Sequence, residues 1–182
     1  DHRDLHSFPT RRSSDLKFKH LSFFTHDNNY DLDEVYREWE AQIEKVLASG
    51  IKPSHLDSHH HTHSFPKQQE IVIKLARKYQ LPVRNNLNLP SDIVKVNRFE
   101  PFFDSVAVES EEGLKVYLKN VIEDIKQWET VEIMVHPGYL DSLVYKSSSL
   151  TENRAHVANF LMNSNFAQTL KKSGEIHLIN YH

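Results

Sequence analysis

Cysteine is absent from all 182 residues, so disulfides and thiolate metal ligands are both excluded. Glycine is scarce, with four residues against seven prolines, and neither a glycine-rich phosphate loop nor a nucleophile elbow is present. No apolar run approaches the roughly 20 residues that span a bilayer. The opening Asp1–Leu16 has no apolar core of the kind a secretory signal needs. The net charge is only −3, and no long basic run interleaves with aromatics, which argues against nucleic acid as a partner. What remains is one domain's worth of globular chain, 38% hydrophobic, whose lack of cysteine fits a cytoplasmic setting. Histidine is the residue in excess: thirteen in all, five of them between His55 and His63.

Asp4–Leu16 has neither helical nor strand periodicity. Its composition suits a polar tail, and His6–Leu16 resembles one reading frame of a widely used DNA-sequencing adapter. Residues 1–16 are therefore set apart as a non-native tail, and residues 17–182 are read as the C-terminal part of a single domain.

From Lys17 onward the pattern is regular. Leu32, Val35, Tyr36, Trp39, Ile43, Val46 and Leu47 follow helical spacing, with Asp31 as N-cap, Glu34 three residues on, and Gly50 as the stop. Ile51–Ser58 reads as a strand, and a second helix follows Pro66 with Ile71, Val72, Leu75, Ala76 and Tyr79 on its inner face. Leu81–Arg84 reads as a short strand, residues 85–101 as loop, and Phe102–Val108 as a further strand. Ser110, Glu111 and Glu112 open a helix that reaches Trp128, with acids at the positive end of its dipole. Thr130–Val135 is a β-rich strand. Ser149 and Glu152 have capping-box spacing ahead of a helix to about Lys172, and Ile176–Asn180 closes the chain as a last strand.

Strands and helices alternate at βαβ spacing, which predicts an α/β fold with mainly parallel strands and right-handed crossovers. Chemistry in such folds gathers at the carboxyl ends of strands. Two histidine-bearing segments fall there. The first is Ser54-His55-Leu56-Asp57-Ser58-His59-His60-His61-Thr62-His63. On an extended backbone, Asp57, His59 and His61 share one face, with Ser58 and His60 on the other. If the chain coils after the strand, His59 and His63 become neighbours one turn apart. Either way imidazoles converge beside a carboxylate, the pattern of a metal ligand with an orienting partner. The second is Glu132-Ile133-Met134-Val135-His136-Pro137-Gly138-Tyr139, with Asp141. Pro137-Gly138 turns the chain and holds His136 at the rim, placed as a general acid or base.

These two segments, with Phe65-Pro66 after the first, resemble the signature motifs of the YdjC-like (chitooligosaccharide) carbohydrate deacetylases, in the family's order and spacing. The resemblance runs from about Lys17 to the end. It implies a (β/α) barrel-like deacetylase fold whose first strands are missing here, and a hydrolase of linear amide C–N bonds acting on N-acetyl groups of small sugars such as chitooligosaccharides. It also implies a magnesium ion, with zinc as the alternative, and a homodimer. Residue by residue, His59 matches a metal ligand. In the mechanism this implies, His136 is the candidate acid that protonates the leaving amine, and His61 and Arg84 are candidates to hold sugar hydroxyls or the acetyl carbonyl, with Arg84 equally readable as an ordinary charge at a strand end. The family's other ligands, an Asp-Asp motif and a histidine, lie upstream and are not matched: Asp27-Asn28-Asn29 is only an echo, and His20 is not assigned. The chain as written is therefore expected to be inactive. A non-catalytic histidine-rich metal module, and a metal-dependent hydrolase of another acylated small molecule, are the competing readings.

Overall fold

The computed structural model describes residues 30–106, 111–163 and 174–181, the backbone of 7–11 and 18–20, and the single positions 165, 168 and 172. Backbone contacts divide these residues into two compact units: one runs up to Lys95 and includes Tyr181, and the other comprises Val96–Asn180.

In the first unit, β1 (Ser7–Arg11) pairs antiparallel with β2 (Phe18–His20). β1 falls in a stretch without strand periodicity, so pairing rather than apolar alternation defines it. The register shifts between Phe8 and Arg11, around Pro9, which has no N–H to give to a ladder. Helix α1 (Leu32–Ala48) begins where its sequence predicts. Asp31 Oδ1 accepts from the backbone N–H of Asp33 at 2.8 Å and Glu34 at 3.4 Å, satisfying donors that a helix start leaves open. Gly50, with φ +81°, ends it. Helix α2 (Gln69–Tyr79) buries Ile71, Val72, Leu75 and Ala76, and Gln80 takes the left-handed terminating position at φ 54°. Val35, Ile43, Ile71 and Leu75 form one core cluster. Val72, Ala76, Val83, Leu89 and Ile93 form another, and Trp39 and Leu56 pack against both.

The two strands expected at Ile51–Ser58 and Leu81–Arg84 shrink to a single parallel bridge, Leu56 to Val83. The backbone bonds Leu56 N–H to Pro82 O (2.8 Å) and Arg84 N–H to Leu56 O (3.1 Å) hold it. This short bridge still aligns the chain leaving Leu56 with the chain leaving Val83.

In the second unit, β3 (Arg98–Glu100) and β4 (Val131–Ile133) pair in parallel. β3 lies in a stretch that its asparagines mark as loop. One of them starts the strand pair: Asn97 Oδ1 accepts from Thr130 N–H at 3.0 Å and from Thr130 Oγ1 at 2.7 Å. The strand expected at Phe102–Val108 is instead a short helix, α3 (Phe103–Val106), with residues 107–110 outside the described set. A short apolar run does not by itself separate helix from strand. Helix α4 (Glu111–Ile125) opens at its acids as expected. The short α5 (Ser142–Ser147), capped by Asp141, has no counterpart in the sequence pattern. Helix α6 (Glu152–Asn163) begins at Glu152, the last position of the expected capping box, rather than just after Ser149, and most of its expected continuation to Lys172 lies outside the described residues. Phe103 and Val157 are the buried centre, packed by Tyr117, Ile133, Val135 and Phe160.

The last predicted strand, Ile176–Asn180, does not form. A strand needs a ladder partner, and a cleft of about 530 Å³ is lined by both this segment and the start of β4. The architecture is thus mixed α/β, with parallel pairing at β3–β4 and at the Leu56–Val83 bridge. No helix among the described residues is long and apolar enough to cross a membrane.

Candidate active site

The histidine cluster coils. Past Leu56 the chain enters a 3₁₀ turn over His59–Ser64, in which His60 (φ 52°, ψ 25°) and His61 (φ 54°, ψ 31°) both take left-handed backbone. The extended alternation of Asp57, His59 and His61 against His60 is therefore not what the chain adopts. The rings of His59 and His60 meet edge to face with centroids 4.2 Å apart, and those of His61 and His63 at 6.3 Å. His59 and His60 are exposed, and His61 is half-buried.

His63 turns inward and is 1% exposed. Its ring spans two partners, Ser58 Oγ at 2.6 Å from Nδ1 and Asn86 Oδ1 at 2.7 Å from Nε2. The Ser58 hydroxyl already accepts from His63 N–H and from Thr62 Oγ1, so its own proton goes to Nδ1. Nε2 then carries the ring proton and donates it to Asn86. His63 is a neutral, fully bonded core residue that pins the loop, and burial pushes its pKa down to about 4.

The unfolded chain takes up a proton near pH 6.5, whereas folded His63 does so only near pH 4. Stability therefore holds above pH 6.5, falls as pH drops, and levels off below about 4. The whole effect is on the order of 3 kcal/mol. Urea melts between pH 7 and 4.5 check it: the wild type should weaken toward low pH, and His63→Gln should flatten that slope. Parallel slopes in the two proteins would remove His63 from the account.

Arg84 sits where the Leu56–Val83 bridge delivers it. Its side chain is 12% exposed, and Nη1 lies 2.7 Å from Asp57 Oδ2. Asp57 and Arg84 leave neighbouring chain segments and meet beside the histidine loop. Arg84 is thus a mostly buried guanidinium at the loop's base, and Asp57 faces it. His55 stacks on Tyr181 with ring centroids 4.0 Å apart.

The second motif behaves differently. After β4 the chain passes Val135 and turns at Pro137-Gly138, where Gly138 N–H bonds to Arg154 O of α6 at 3.1 Å. Arg154 Cδ would stand 3.4 Å from a Cβ at position 138, so α6 lies close against the turn. His136, at the strand's exit, is 43% exposed through its side chain. Asp104 holds it: His136 N–H donates to Asp104 Oδ1 at 3.2 Å, and Nδ1 lies 2.5 Å from Oδ2. Asp104 is 8% exposed and follows the core residue Phe103 on α3. Nothing in the sequence singled out Asp104. The only signal is an acid set inside an apolar run. The 530 Å³ cleft lies beside the start of β4, and neither His136 nor Asp104 lines it.

A catalytic ion needs about three protein ligands. Among the described residues, no group of three or more His, Asp or Glu side chains is gathered to hold one. Asp27–Asn29 lies outside the described residues. The described residues thus do not make up a complete ion site, and His59 among them is exposed.

A mixed α/β chain with imidazoles just beyond the carboxyl ends of its parallel-paired segments has the layout of α/β proteins whose sites sit on strand exits. Comparison narrows the class: the chain belongs to the YdjC-like protein family, whose model matches residues 5–172. It is 37% identical over 131 residues to a carbohydrate deacetylase of Halalkalibacterium halodurans, covering 67% of this chain and 51% of that protein. A carbohydrate deacetylase of Enterococcus faecalis is 32% identical over 174 residues, covering 90% of this chain and 64% of that protein. A crystal structure of a candidate cellobiose-phosphate cleavage protein from E. faecalis V583 superposes with a TM-score of 0.75 at 28% identity, covering 95% of this chain and 68% of that one. The chain spans 50–64% of the length of these and similar curated relatives.

Proposed function

We propose that this chain is part of a metal-dependent carbohydrate deacetylase that hydrolyses N-acetyl groups on small sugars such as chitooligosaccharides. Its relatives named carbohydrate deacetylase support the reaction class. The observation that carries the assignment to this chain is His136: an accessible imidazole at a strand exit, clamped by a buried carboxyl group.

In this reading His136 gives a proton to the amine nitrogen as the C–N bond breaks, so that the sugar leaves as a neutral amine. His61 and Arg84 hold sugar hydroxyls or the acetyl carbonyl. The Asp57 pairing leaves Arg84 held at the base of the loop rather than free to swing. His59 holds the ion together with ligands beyond those described. That ion is magnesium as the family resemblance suggests, with zinc as the alternative because imidazole donors suit it better. When bound, such an ion polarises the acetyl carbonyl and lowers the pKa of a bound water. A (β/α) barrel-like closure, a homodimer and a cytoplasmic setting belong to the same reading.

The test is acetate release from N-acetylglucosamine oligomers by a form of the protein as long as its curated relatives, with and without a chelator. Release that the chelator stops is the expected result. Cleavage of cellobiose phosphate with no acetate released would overturn the deacetylase reading, and so would acetate release that ignores the chelator.

A further inference from the structure

We infer that Asp104 is the positioning residue for His136, fixing which ring nitrogen carries its proton and where the other one faces. The inference rests on the proposed role of His136 and adds a residue to it.

Both carboxylate oxygens of Asp104 go to the same residue. Oδ1 takes the His136 backbone N–H at 3.2 Å, and Oδ2 faces ring Nδ1 at 2.5 Å. An ionised carboxyl group only accepts, so Nδ1 must be the donor and Nε2 is the nitrogen left for proton exchange. Holding backbone and ring together fixes the side-chain torsions as well as the tautomer. The anchor is itself fixed, because Asp104 follows Phe103, which is 1% exposed and packs against Tyr117 and Phe160. Exposure runs the opposite way across the pair, with side chains 12% exposed for Asp104 and 43% for His136. A pair that served only to bind α3 to the end of β4 would have no need to leave the imidazole open.

Asp104→Asn keeps the shape and can still accept the backbone N–H. Its amide nitrogen then faces Nδ1 and favours the opposite tautomer. In the protein of relatives' length, kcat should fall about 10²-fold or more, as when the carboxylate partner of a catalytic histidine is lost, while KM stays as in the wild type. Nitrogen NMR of the unmutated protein provides a second reading that no folding defect can blur. The neutral His136 ring should carry its proton on Nδ1, and a proton on Nε2 overturns the inference. A purely structural clasp predicts lowered stability in Asp104→Asn with kcat intact, and that result overturns it too. His136→Ala separates the two levels. If it leaves turnover unchanged, the reading of His136 fails. If it lowers turnover and Asp104→Asn does not, only the positioning role of Asp104 fails.

Discussion

His59→Ala is expected to abolish deacetylation and to lower the divalent ion bound per protein, measured by acetate release and by metal analysis after desalting. The argument starts from position. His59 is the first residue beyond Ser58 and is exposed, ahead of the left-handed pair that turns the chain. Loss of a ligand from a site of about three leaves the ion weakly held and its water less acidic. His60→Ala should do less, since the proposed ion site includes His59 and not its neighbour, although the two rings touch at 4.2 Å. Equal metal content and equal turnover in wild type and His59→Ala would sink the ligand role.

The second large effect is expected at His136. His136→Ala should lower kcat by about 10²–10⁴-fold, the usual worth of a positioned acid or base, with bound metal unchanged. Its side chain contributes little to the core, being 43% exposed, so the fold should survive the change. Loss of metal together with activity would make His136 a ligand instead. The two substitutions thus give opposite metal readouts, and measuring both in one preparation checks each role against the other.

What the sequence made legible was set by length and period. Helices α1, α2 and α4 carry apolar residues at helical spacing over two turns or more, and their starts coincide with Asp31 and with the Glu111 region. The strands after β1 were less legible because they are three residues or a single bridge, too short for alternation to register. β3 hid behind asparagines whose side-chain bonding to Thr130 is a tertiary fact. The histidine segment was placed correctly at a chain exit, yet its shape was not readable. Period two assumes extended backbone, and no glycine marked the left-handed turn at His60 and His61. Asp104 escaped because its partner lies 32 residues downstream and its neighbours Phe102 and Phe103 suggested a strand.

The left-handed pair at His60 and His61 bears on how this protein can change over time. A side chain with a Cβ in that region costs about 1–3 kcal/mol per residue, so the loop's conformation is imposed by its anchors, Ser58, His63 and Asn86, against local preference. Selection for thermal tolerance alone would drive both positions toward glycine, which relieves the crowding at once. Glycine at 60 should accordingly raise the melting temperature, and valine there should lower it, in a simple thermal-shift comparison. Histidine at these two places therefore forgoes an easy gain in robustness that glycine would bring.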